Sequence, residues 1–167
     1  MKTRSAFSLV EVVLALGVMA IAALAIIGVL PIGLSTGHSA QDETRASQIS
    51  EDIFSAFASQ AQTQFTAVAL PIASPSPAPT IDLTSSNSPI TNPAAFFYAD
   101  NSGTLSNSAT NAAYSISIGT NTAPGGFDTA FANAVTVRVV SPPLSNQTAT
   151  AKQGQTVRDY QRVISKY

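Results

Sequence analysis

Apolar and polar positions recur with three different periods along this chain. Residues 12–34 read VVLALGVMAIAALAIIGVLPIGL, 23 residues without a charge or a strongly polar side chain. At 1.5 Å per residue such a run makes a helix roughly 34 Å long, enough for a hydrocarbon core of about 30 Å. It is too long for an ordinary signal-peptide core. Past Asp42 the pattern becomes one-sided. Ile49, Ile53, Phe57, Ala61 and Phe65 recur every four residues, and Phe54 and Val68 widen the stripe. Gln48, Glu51, Asp52, Ser55, Ser59 and Gln62 fall mostly on other faces. This spacing predicts an amphipathic helix over 38–70 whose apolar face needs a partner. Asp42 and Glu43 lie early in it, where acids suit the helix dipole.

Pro31 interrupts the apolar run, with Gly28, Gly33 and Gly37 around it. Proline removes a backbone donor and crowds the preceding turn, so a kink or local unwinding is expected there, or the end of the membrane helix. Residues 71–93 hold six of the ten prolines, together with many Ser, Thr and Asn. That composition can neither continue a helix nor form a central strand, and it predicts an extended, partly mobile loop.

Beyond the loop the period falls to two. Residues 95–99 (AFFYA) are short and aromatic, and Asp100-Asn101-Ser102-Gly103 is a turn sequence. Tyr114, Ile116 and Ile118 alternate with Ser115 and Ser117, and Val135, Val137 and Val139 alternate with Thr136 and Arg138. Pro142-Pro143 ends that strand, and residues 157–167 supply a last one. The fold expected is α+β. A long N-terminal helix, transmembrane in its front half and amphipathic in its back half, lies on a small antiparallel β-sheet at 94–167. Roughly 70 residues are few for an independent core, so the helix must contribute part of the stability.

Composition sharpens the picture in two ways. Charged residues are only 10% of the 167 and cysteine is absent, which excludes disulfide staples and thiolate zinc sites. The net charge of −1 gives no reason to expect a nucleic-acid partner. Charge is unevenly placed, however. Lys2 and Arg4 precede the apolar run and put the N-terminus in the cytoplasm, with the rest of the chain exported. Arg138, Lys152, Arg158, Arg162 and Lys166 make the far end basic. They are spread over 29 residues without aromatic clustering, so a solvated strand face is expected rather than a nucleic-acid surface.

The junction MKTRSA-FSLVE carries the most specific signal. A short basic leader ends in the small residue Ala6, Phe7 follows, and a lone acid, Glu11, stands at the edge of the apolar run. Acids entering lipid are costly and tend to be paired and functional. The stretch resembles the prepilin peptidase site of the type IV pilin superfamily, and is closest in kind to minor pilins and secretion-type pseudopilins. It is also similar to the prepilin-like proteins called Verru_Chthon cassette protein B. The resemblance is specific over residues 1 to about 30 and architectural beyond. Ala6 departs from the glycine that the family prefers before the cut.

The resemblance implies a leader at 1–6, cleavage between Ala6 and Phe7, and methylation of the new terminus. It implies a transmembrane helix at 7–37 bearing the Pro31 kink, and Glu11 paired with the Phe7 amine of a neighbouring subunit. The implied partners are the prepilin peptidase, other pilin or pseudopilin subunits, inner-membrane lipid and an assembly platform. The implied location is the bacterial inner membrane, with a periplasmic C-terminal domain able to enter a filament. No cofactor and no catalytic residues are expected. The alternative is a single-pass membrane-anchored binding module.

Other candidate chemistry is thin. His38, the only histidine, has no carboxylate cluster around it. Asp100 brings one acid to a loop that would need several to hold calcium. Gly125-Gly126 lacks the lysine of a phosphate loop and is expected to be a turn. Asn146-Gln147-Thr148 fits a glycosylation triplet, which is frequent by chance.

Overall fold

A computed structural model describes residues 8–62, 65–72, 78–122, 132–147, 149 and 151–165. The fold is α+β, as expected. A single long helix, α1 (Leu9–Ala61), is followed by β1 (Val68–Ala69), β2 (Thr80–Ile81), β3 (Ala95–Ala99), β4 (Leu105–Ser106), β5 (Tyr114–Thr122), β6 (Ala132–Ser141) and β7 (Thr156–Ser165). The chain divides into two compact units, Met1–Gln41 and Asp42–Tyr167.

In the first unit the described chain is α-helical throughout from Leu9, and Pro31 lies inside the helix rather than at its end. The hydroxyls just beyond turn back onto the helix itself. Ser35 Oγ donates to the Ile32 carbonyl at 3.0 Å, Thr36 Oγ1 to the same carbonyl at 2.9 Å, and Ser39 Oγ to the Ser35 carbonyl at 3.0 Å. This is how hydroxyl side chains are satisfied within a helix without an outside partner.

The second unit holds the core. Its five-stranded sheet has the order β4-β3-β5-β6-β7, antiparallel throughout. The register sets Phe97 opposite Ile116, Ile118 opposite Val137, and Asn133 opposite Ile164. Alternate residues of β3, β5 and β6 therefore present one apolar face, to which β7 adds Ile164 and the partly buried Tyr160. Ala46, Ile49, Ile53, Phe54, Phe57 and Ala61 of α1 are buried in a common cluster with that face. The stripe read from the sequence at 49, 53, 57 and 61 is thus the packing face of the helix.

Two boundaries differ from expectation. The amphipathic helix does not run to residue 70 but ends at Ala61. Phe65 and Val68 keep their place in the core from non-helical chain, Val68 as part of β1. The side chain of Gln60 makes the change of direction. Its Nε2 donates to the Ala69 carbonyl at 3.0 Å, and its Oε1 accepts from the Ala69 amide at 2.8 Å. The second correction concerns 71–93, expected to be an extended, partly mobile loop. It contains β2, which pairs with β1, and Leu83, which is fully buried with its amide bonded to the Phe65 carbonyl at 2.9 Å. Asn87 exchanges two backbone hydrogen bonds with Thr120, at 2.7 and 2.9 Å. Gly119 beside it admits this close approach: a Cβ there would lie 2.3 Å from Pro89 Cδ and 2.7 Å from the Asn87 carbonyl oxygen. Pro75 and Pro77 lie outside the described residues.

Candidate functional site

The apolar surface of α1 is the most unusual feature of the first unit. Leu9, Val13, Leu16, Met19, Leu24, Ile27, Leu30 and Leu34 are all exposed, Met19 to 73%. The same element is long and apolar enough to cross a membrane, and none of its most hydrophobic window is buried. An exposed apolar surface of this extent calls for lipid or other apolar helices. The helix could serve as a membrane anchor or as a signal sequence.

Glu11 is the only acid on this surface. It stands in the first turn of α1 and shares an exposed strip with Val12, Ala15, Leu16 and Met19. Its amide donates to the Ser8 carbonyl at 3.0 Å, and that of Val12 to the same oxygen at 3.2 Å, so Ser8 opens the helix. Ser8 and Glu11 have the spacing of a capping box, in which a serine before the helix and an acid three residues on serve the free amides of the first turn. This signal was legible as S-x-x-E and gives Glu11 a place at the positive end of the helix dipole. Ala6 and Phe7 lie outside the described residues, as do Lys2 and Arg4. Among the described residues no cation is recorded bonded to Glu11.

Among the described residues, nothing packs against Gly17, Gly28, Gly33 or Gly37. A Cβ added at any of them meets nothing within 4 Å, and none has a positive φ. Each costs about 1 kcal/mol of helix stability relative to alanine.

The remaining candidates resolve into structural chemistry. His38 is exposed on α1. Asp100 closes its own turn: one carboxylate oxygen accepts from the Ser102 amide at 2.8 Å, the Ser102 hydroxyl at 2.6 Å and the Thr104 amide at 3.0 Å. Gly103 supplies the left-handed residue of that turn, with φ 87°. The Ser102 hydroxyl, followed by the Thr104 amide, holds the Asp100 carboxyl below its ordinary pKa. No group of three acids or histidines gathers as a metal site among the described residues. Gly125-Gly126 and Thr148 lie outside the described residues.

The cations of the far end are partly spent within the fold. Arg138 forms a two-pronged pair with Asp159, both contacts 2.6 Å. Arg162 does the same with Glu51 of α1 at 2.8 Å, and its guanidinium stands 5.1 Å from the Phe54 ring centroid. At the other end of the packed helix segment, Tyr114 Oη donates to Asp42 Oδ1 at 3.0 Å, and Arg45 bonds the Asn101 carbonyl. Burial, and then the bond to Asp42, push the Tyr114 phenol above its ordinary pKa. These contacts tie helix to sheet within the second unit. No protein-family model, no curated protein and no solved structure matches the chain.

Proposed function

We propose that this chain is a non-enzymatic subunit of a type IV pilus-like or type II secretion-like filament, a minor pilin or pseudopilin. The observation that carries the reading is the lone acid Glu11, within the junction MKTRSA-FSLVE and at the head of the otherwise uncharged, exposed apolar part of α1 that runs up to Gln41. A prepilin peptidase would cut between Ala6 and Phe7. The mature chain would stay in the inner membrane as a single-pass protein with Asp42–Tyr167 in the periplasm, until an assembly platform drew it into a filament.

Physical chemistry supports this use of the helix. A carboxylate and an amine that are each costly in hydrocarbon neutralise one another when subunits dock. Glu11 of one subunit and the Phe7 amine of another form such a pair. The four glycines of α1 suit close helix–helix approach. Pro31 with Gly28, Gly33 and Gly37 lowers the cost of bending or unwinding the helix there during packing.

Mass spectrometry of the mature N-terminus tests the reading. A chain beginning at Phe7, methylated on its amine, is the expected result. A chain retaining Met1 in a membrane fraction would overturn it in favour of an anchored binding module. That second reading is favoured by one observation: the Asp42–Tyr167 unit carries its own complete core.

A further inference from the structure

We draw no further inference here: the strongest candidate, the cleft of about 190 Å³ floored by Phe96 and Val140 between the loop of Pro89 and Ile90 and the loop of Leu144 and Gln147, has its cation Arg138 already paired with Asp159, and nothing in the structure shows what fills it.

Discussion

The two parts of α1 use apolar residues to opposite ends. Before Gln41 the helix carries leucine, isoleucine and valine on every side, and all of them are exposed. After Asp42 the apolar residues are fewer and confined to one stripe, and Ile53 and Phe57 are completely buried. The difference lies in what the chain itself supplies. The second part meets a sheet whose alternate residues complete a core, while the apolar side chains of the first stand exposed. A helix apolar all round is one whose partner is lipid or another chain. An exposed leucine in the first part and a buried phenylalanine in the second therefore report on different equilibria, one of insertion and association, the other of folding.

Paired substitutions test that separation directly. Phe57→Ala should destabilise the folded domain by about 3–5 kcal/mol through lost burial and a residual cavity, read as a lowered Tm of the detergent-solubilised protein. Leu24→Ala, at a side chain 71% exposed, should leave that Tm unchanged. An equal loss from both would mean that the helix folds as one cooperative piece with the sheet. A smaller effect is expected at Gly119→Ala, where the new methyl collides with the Asn87–Pro89 backbone. Overpacking of this kind costs about 1–3 kcal/mol, measurable by chemical denaturation.

Tyr114→Phe should cost about 1 kcal/mol for the lost hydrogen bond to Asp42, and it carries a pH signature. The Tyr114 phenol is raised in the folded state, so its contribution is complete below the ordinary tyrosine pKa of about 10. It is lost as pH rises through the higher folded value. Wild-type stability should therefore fall in alkali more steeply than that of the variant. The smallest effect belongs to the Arg162–Glu51 pair, with side chains 44% and 60% exposed. A double-mutant cycle should give less than about 1 kcal/mol, declining with added salt. On the other side of the comparison, Glu11→Ala should leave both Tm and membrane insertion intact while blocking incorporation into filaments. Normal incorporation, followed by co-purification with neighbouring subunits, would remove the charge pair from the account.

Local period made most of the fold legible. β3 was readable as AFFYA, β5 and β6 from alternation with serine, threonine and arginine, and β7 from its valines and tyrosine. The helix stripe at 49, 53, 57 and 61 was readable for the same reason, since burial on one face repeats with the pitch of the element. What escaped was fixed by partners far along the chain. β1, β2 and β4 are two residues each, too short to show any period. The end of α1 was hidden because Phe65 and Val68 extend the four-residue spacing yet reach the core from non-helical chain. The pinning of 80–94 depends on Thr120 and Phe65, which no local pattern announces. At the candidate site Glu11 was legible as a lone acid before an apolar run.

The fork between Gln60 and Ala69 narrows what evolution can do at that corner. The peptide of Ala69 offers one hydrogen to give and one oxygen to fill, and the side chain facing it must answer both. Glutamate answers only the first, lysine and arginine only the second, and asparagine is a methylene short. Glutamine is thus the one residue of that reach able to stand in for a neighbouring strand, and the turn out of the helix rests on a side chain impersonating backbone.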